Sequence, residues 1–72
     1  MSKNVDTVMG QVVECLRNCQ FRVNIGSEQE EKIVIAYMSG KMRLNRIKVL
    51  IGDKVELVVP MQGEIYRLIY RK

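Results

Sequence analysis

The chain has 72 residues, of which 47% are hydrophobic, and its 12 Lys and Arg against 8 Asp and Glu give a formal net charge of +4. This length predicts one domain spanning residues 1–72, and the hydrophobic fraction is that of a folded protein rather than a disordered one. A domain of this size buries only about 60% of the surface of its unfolded chain, which excludes a large internal substrate cavity. The positive charge favours an anionic partner, namely nucleic acid, a membrane surface or an acidic protein.

The beginning of the chain does not have the pattern of a signal peptide. Residues 1–6 contain one lysine and no apolar core. No apolar run approaches the roughly 20 residues that a membrane-spanning helix needs. We therefore expect a cytoplasmic protein, or one of the plastid stroma if an organelle encodes it, with no membrane partner.

The first part of the chain predicts two β-strands joined by a short polar connection. The first predicted strand covers about residues 8–16, and Gly10 within it predicts a β-bulge or a sharp bend. The second covers about residues 21–25, where apolar and polar residues alternate, so that Arg22 faces away from Phe21. One face of this hairpin is therefore expected to be buried.

A polar, acidic loop follows, and the rest of the chain predicts three more strands. These strands cover about residues 32–38, 55–59 and 65–70. The segment after the third strand begins with Ser39, a suitable helix N-cap, and is compatible with one short helical turn. Gly52 and Asp53 then predict a tight turn before the fourth strand.

Strict alternation in the fifth predicted strand places two sets of residues on opposite faces. One face carries Arg67, Ile69 and Arg71, and the other carries Tyr66, Leu68 and Tyr70. We therefore expect both arginines to project from the same side of the sheet.

Five short strands with a helical turn between the third and the fourth fit an OB-fold. This fold is a five-stranded Greek-key barrel that presents a face to oligonucleotides. An SH3-like barrel is the main alternative, but its helical turn normally lies just before the last strand. The sequence therefore predicts an all-β OB-fold barrel.

Positive charge is concentrated in two segments rather than spread evenly along the chain. The acids lie mostly elsewhere, at residues 28–31 and at Asp53 and Glu56. Because a basic surface without interspersed acids is suited to contact phosphates, we favour nucleic-acid binding over a merely solvated face. The candidate cations are Lys41, Arg43, Arg46, Lys48, Arg22, Arg67 and Arg71, with Lys72 beside the last.

Aromatic residues are few, and this affects the expected mode of binding. Tyr37, next to the first basic segment, is the best candidate to stack on a nucleotide, and a partly buried strand residue with its hydroxyl in water is the alternative interpretation. Phe21 is expected in the core. The scarcity of aromatic residues favours recognition of the shape and phosphates of folded RNA over general single-strand binding.

The sequence shows no pattern typical of catalysis or of a cofactor. It contains no histidine, no P-loop and no dinucleotide-binding fingerprint. Cys15 and Cys19 are separated by three residues and have no companion ligands, so we interpret them as small residues in a strand and in the turn after it. We therefore expect no enzyme activity, no catalytic residue, no metal, no cofactor and no small-molecule substrate.

Two segments carry the most distinctive pattern of the chain. They are Ser39-Gly40-Lys41-Met42-Arg43-Leu44-Asn45-Arg46-Ile47 and Gly52-Asp53-Lys54-Val55. Together they resemble the signature S-G-K-M-R-x-N-x-I and G-D-x-V of bacterial-type translation initiation factor one. The resemblance implies an OB-fold protein of the bacterial cytoplasm, without enzymatic activity, that binds the small ribosomal subunit at the decoding (A) site through rRNA. It also implies that the protein acts with initiation factors two and three, and we expect a monomer.

The resemblance assigns roles to particular cations. Lys41 and Arg43 occupy family positions that contact the decoding-site rRNA helix, and Arg22 matches the arginine of the family's F-R-V element. Lys48 stands where the family usually has arginine, so the charge is kept but the two-pronged guanidinium is lost. Residues 26–31 form a longer connection than the family's hairpin turn.

The C-terminal part departs from the family pattern. The P-Y-D-L element is absent, since Pro60 is followed by Met61-Gln62-Gly63. In one alignment Arg67 and Arg71 match the basic positions of the family's G-R-I-x-[FY]-R element. In a second alignment Gly63 is the glycine of that element and Glu64 replaces its arginine.

Two other classes of protein are the alternatives to an initiation factor. A general single-stranded RNA-binding protein, or cold-shock-like nucleic-acid chaperone, would carry several exposed aromatic residues on the second and third strands. A protein-interaction module of SH3 type would need an aromatic-lined groove. The chain has one Phe, three Tyr and no Trp, which supplies neither pattern well.

Overall fold

The computed structural model describes residues 6–27, 29–61, 63 and 65–71, with Arg71 described by its backbone alone. The elements are β1 (Thr7–Cys15), β2 (Gln20–Asn24), β3 (Ile33–Met38), α1 (Gly40–Leu44), β4 (Lys54–Val58) and β5 (Ile65–Arg71). Each strand begins and ends within one residue of its predicted bounds. No helix in this described part of the chain is long and apolar enough to cross a membrane.

The strands form one closed barrel in which neighbours follow the order β1-β2-β3-β5-β4. β3 pairs with β5 in parallel, and the other neighbouring strands are antiparallel. α1 connects β3 to β4, where an OB-fold places its helix, and not before the last strand, where an SH3-like barrel would have it. The predicted OB-fold is therefore confirmed.

Apolar side chains from alternate strand positions fill the barrel. Phe21 is buried and its neighbour Arg22 is exposed, as the alternation in β2 predicts. Leu57 of β4 lies opposite Leu68 of β5, and both are fully buried. Met42 of α1 belongs to the same buried cluster, so the helix is attached to the barrel through its apolar face.

Gly10 is required by close packing rather than by a bulge. It pairs regularly with Val55 of β4, so of the two alternatives predicted here, a bulge or a sharp bend, the bulge is wrong. A Cβ atom on Gly10 would lie 2.5 Å from Cγ1 of Val23, a separation that real side chains do not tolerate. The glycine therefore allows β1, which pairs with both β4 and β2, to approach β2 closely.

The bulge in β1 lies three residues further on. The register shifts after Val12, so Val13 is the extra residue and Glu14 lies opposite Arg22. Without this extra residue, Glu14 would lie opposite the buried Phe21. The bulge therefore brings a carboxylate to the outer face of the barrel beside an arginine.

A second bulge lies in β5 and changes which residues share a face. Leu57 pairs with Leu68, but Glu56 pairs with Tyr70, so Ile69 is the extra residue. Tyr70 is consequently 55% exposed, and the prediction that it shares a face with Leu68 is wrong. Because the bulge re-aims the strand, a tyrosine that alternation would bury reaches the surface.

The β1–β2 hairpin is closed by a two-residue turn in the predicted polar connection. Asn18 and Cys19 have φ angles of 59° and 60°, and the Gln20 amide donates to the Arg17 carbonyl at 3.2 Å. Two consecutive positive φ angles define a type I′ turn, whose twist matches that of the flanking strands. Cys15 lies in β1 and Cys19 in the turn, as predicted; both residues are exposed and neither forms a disulfide.

Candidate nucleic-acid interface

The connection after β3 forms a compact loop with four exposed cations. We call residues 39–48, which comprise α1 and its flanking residues, the basic loop. Its exposed cations are Lys41, Arg43, Arg46 and Lys48, the four candidates of this segment. Since residues 39–52 include no Asp or Glu, no carboxylate of the same segment compensates their charge.

Ser39 fixes the beginning of the basic loop to the barrel. Its side-chain oxygen accepts a hydrogen bond from the Met42 amide at 3.3 Å, which is the predicted N-cap. The Ser39 amide donates to the Leu68 carbonyl of β5 at 2.9 Å. Together with the buried Met42 side chain, these bonds hold the first turn of α1 against β5.

Arg46 ends α1 in a left-handed conformation with a φ angle of 53°. The Arg46 amide donates to the Arg43 carbonyl at 3.2 Å, and the Ile47 amide donates to the Met42 carbonyl at 3.1 Å. This is the Schellman pattern, in which glycine usually occupies the position of Arg46. Ile47 packs on the buried cluster that contains Met42, so the C-terminal end of α1 is also anchored.

A cleft of ≈330 Å³ lies between α1 and β5, beside the basic loop. It is lined by Lys41, Met42, Asn45, Ile47, Ile69 and Tyr70. A tyrosine ring can stack on the face of a base, and a side-chain amide can hydrogen-bond the edge of the base. An ammonium group can contact the phosphate. The cleft is therefore large enough and chemically equipped to receive one unpaired base.

Neither Asn45 nor Tyr70 is among the site residues predicted from the sequence. Strict alternation placed Tyr70 on the face of Leu68, and only the bulge at Ile69 brings it to the surface. Asn45 lies inside the recognised signature and is the C-cap of α1, a position that the sequence pattern did not connect with a binding role.

Tyr37 and Arg67 are neighbours on the outer face of the barrel, where β3 and β5 run in parallel. Tyr37 is 38% exposed, so part of its ring is accessible, and Arg67 is exposed. Ser39 follows Tyr37 by two residues, and its amide is bonded to Leu68, the residue after Arg67. This pair therefore adjoins the base of the basic loop.

Arg22 lies on the same outer face, but Glu14 engages it. The Nη1 atom of Arg22 is 3.1 Å from Oε1 of Glu14, and the two side chains are 50% and 51% exposed. Such a half-exposed pair contributes only about 0–1 kcal/mol, so an RNA phosphate could replace the carboxylate. The sequence alone does not predict this ion pair, because the pair depends on the bulge at Val13.

The C-terminal cations are only partly described. The Arg71 backbone pairs with Val55, and Lys72 lies outside the described residues. Because the bulge at Ile69 lies between Arg67 and Arg71, the uninterrupted alternation predicted for this strand is wrong. Within residues 6–27, 29–61, 63 and 65–71, no group of three or more Cys, Asp or Glu could hold a metal ion.

The strand order and the anchored basic loop define an OB-fold protein that presents an ordered cationic loop. The solution structure of translation initiation factor one from the Wolbachia endosymbiont strain TRS of Brugia malayi is 31% identical to this chain, with a TM-score of 0.76. The match covers 99% of this chain and 82% of that protein. The chain therefore belongs to the family of translation initiation factor one, and the resemblance seen in the sequence is confirmed.

Two further solved structures share the fold at lower identity. They are YloQ, a circularly permuted GTPase, and YjeQ from Thermotoga maritima, each 24% identical with a TM-score of 0.72. Each match covers 93% of this chain but only 23% of the other protein, and at this identity it shows the fold alone. No family model matches the chain.

Proposed function

We propose that this chain is an initiation factor that binds the small ribosomal subunit at the decoding (A) site through rRNA. The observation that carries the proposal is the basic loop, whose four exposed cations extend from a backbone anchored at both ends. Membership of the family of initiation factor one supports the same role.

The basic loop would contact rRNA phosphates with Lys41, Arg43, Arg46 and Lys48. Each neutralised phosphate releases counterions, so the affinity should fall as salt rises. Because the loop is ordered before binding, it loses less conformational entropy on docking than a flexible basic tail would. Folded RNA, which presents phosphates at fixed positions, is the partner that such a rigid loop fits.

The cleft beside the loop would take an unpaired base of the same RNA. Tyr70 would stack on the base, Asn45 would hydrogen-bond its edge, and Lys41 would contact its phosphate, since all three line the cleft. Tyr37 and Arg67 would extend the contact along the outer face of the barrel, together with Arg22 after exchange of its carboxylate partner. Arg71 would add a further cation at the C-terminal end.

The proposed role is one of binding rather than of catalysis. Residues 1–72 would act as a single RNA-binding domain, as a monomer, together with initiation factors two and three. Those partnerships and the monomeric state rest on family membership, and the affinity for rRNA rests on the charges of the basic loop.

Co-sedimentation with purified small ribosomal subunits tests the proposal, with single-stranded RNA of random sequence as the comparison. We expect saturable binding to the subunit that weakens with salt and is competed by an aminoglycoside bound at the decoding site. Equal affinity for random RNA would instead indicate a general single-stranded RNA-binding protein, and the family fold would then serve a different function.

A further inference from the structure

A second cleft, of ≈290 Å³, lies on the outer face of β1 and is lined by residues that have no part in the proposed function. Its lining residues are Met9, Gly10, Gln11, Asn24, Gly26, Ser27 and Lys54. β1 pairs with β2 and β4 and not with β3 or β5, so this cleft lies across the barrel from the strands beside the basic loop.

Three polar side chains form one row across the second cleft. Gln11 pairs with Asn24 of β2 on one side and with Lys54 of β4 on the other. Residues that are directly opposite in neighbouring antiparallel strands have Cβ atoms about 4.5–5.5 Å apart. An amide, a second amide and an ammonium group therefore stand side by side on one surface.

The hydrogen bonds of the two amides determine which of their atoms remain available. The Oδ1 atom of Asn24 accepts from the amides of Gly26 at 2.9 Å and Lys32 at 3.2 Å, which leaves its NH₂ group as the donor. The Nε2 atom of Gln11 donates to the Gly52 carbonyl at 3.2 Å, which leaves its Oε1 atom as an acceptor. An adjacent donor and acceptor match the edge of a nucleobase, which offers the complementary pair.

Met9 supplies the apolar wall of the second cleft. It is 48% exposed, lies two residues before Gln11 on the same face, and its flexible thioether can pack on an aromatic ring. Glu56 lies opposite Met9, and Lys54 lies opposite Gln11. The charges therefore favour a phosphate at the Lys54 side of the cleft and disfavour one at the Met9 side.

We propose that Met9, Gln11, Asn24 and Lys54 form a second site for an unpaired ribonucleotide, with its base against Met9 and its phosphate at Lys54. The amides of Asn24 and Gln11 hydrogen-bond the base edge. The site goes beyond the proposed function, because none of its residues belongs to the basic loop or to the cleft beside α1. It would allow the barrel to hold RNA on two sides.

An NMR titration of the ¹⁵N-labelled chain tests this site, with adenosine 5′-monophosphate as the probe and ribose 5-phosphate as the probe without a base. We expect saturable shifts of the side-chain NH₂ signals of Asn24 and Gln11 with the nucleotide, and none with the sugar phosphate. Lys54→Gln and Met9→Ala should each weaken this binding about fivefold, the equivalent of one modest contact.

Two matched variants serve as controls for the second site. Met61→Ala truncates another exposed methionine, and Arg43→Ala removes a cation of the basic loop. Both should leave the shifts at Asn24 unchanged. Three results would overturn this second site and leave the proposed function standing. They are shifts confined to the Asn45 side chain, equal shifts with ribose 5-phosphate, and no shift at Asn24 and Gln11.

Discussion

Arg46 has a backbone conformation that arginine rarely adopts. Its φ angle of 53° lies in the left-handed region, where a side chain other than glycine costs about 1–2 kcal/mol. The Schellman hydrogen bonds around it would form equally well with glycine, so local structure does not account for the choice of arginine. A strained residue that carries an exposed charge points to a binding role for its side chain.

Replacing Arg46 with glycine separates the backbone strain at this residue from the proposed binding role of its side chain. We expect Arg46→Gly to raise the free energy of unfolding by up to about 1 kcal/mol, because relief of strain outweighs the added chain entropy of glycine. For a domain of this size, each kcal/mol shifts Tm by about 4–8 °C in thermal unfolding. The same variant should bind the small subunit more weakly.

The control for Arg46 is Arg43→Gly, within α1. There the φ angle suits any residue, so glycine should lower Tm while it also weakens subunit binding. A lower Tm for Arg46→Gly, or full subunit affinity in that variant, would contradict the account of Arg46.

Cys19 has a similar strain in the β1–β2 turn, and its carbonyl accepts a hydrogen bond from the Met38 amide at 2.9 Å, just before the basic loop. Glycine at this position would keep that backbone hydrogen bond and would remove no charge. Cys19 is the second residue of the type I′ turn, with a φ angle of 60°, and glycine is preferred there. We expect Cys19→Gly to raise the free energy of unfolding by up to about 1 kcal/mol in denaturant titration, with unchanged affinity for the small subunit. Reduced subunit affinity in this variant would show that the hairpin turn takes part in binding.

At the scale of elements, the basic loop depends on the cap that Ser39 provides. α1 has only five residues, too few to be stable alone, so its hydrogen bonds to Ser39 and its buried Met42 hold it in place. An ordered α1 is what presents Lys41 and Arg43 together. Loss of the cap at Ser39, an uncharged residue, should therefore weaken the binding of RNA.

Ser39→Ala tests this dependence of the basic loop on its cap. Loss of an N-cap costs about 1 kcal/mol, which thermal unfolding can detect, and the loosened loop should also bind the small subunit more weakly. Ser27 is the matched control, because its Oγ accepts from the Glu30 amide at 3.0 Å in the β2–β3 loop. Ser27→Ala should lose stability but retain affinity, and equal affinity losses in both variants would contradict the specific role of α1.

The two bulges decide which side chains reach the proposed interface. The bulge at Val13 places Glu14 beside Arg22, and the bulge at Ile69 brings Tyr70 to the surface. Neither bulge residue is a glycine or proline, and nothing in the local sequence distinguishes these positions. The pairing of each strand with both of its neighbours in a closed barrel determines where the extra residue is accommodated.

At the scale of the whole molecule, the positions of the strands were predictable because their signals are local. Alternation around Phe21, the N-cap at Ser39 and the turn at Gly52 depend only on nearby residues. The four cations of the basic loop were predictable for the same reason, since they lie within one segment. The cleft between α1 and β5 was not, because it needs Asn45 and Tyr70 from distant parts of the chain.

The charge distribution of the barrel also predicts how the binding of RNA depends on salt. If the four cations of the basic loop meet phosphates, each contact contributes separately to the salt dependence of binding. Removal of one such cation should then lower both the affinity and its dependence on salt, while the fold stays intact.

The most direct test is the affinity for the small ribosomal subunit as a function of salt, measured for the unchanged chain and for Arg43→Ala. We predict that Arg43→Ala weakens binding and reduces the slope of log K against log salt by about one. An unchanged thermal unfolding curve would show that the barrel is intact. Equal affinity and equal slope for the two proteins, both folded, would contradict the claim that the basic loop docks on rRNA.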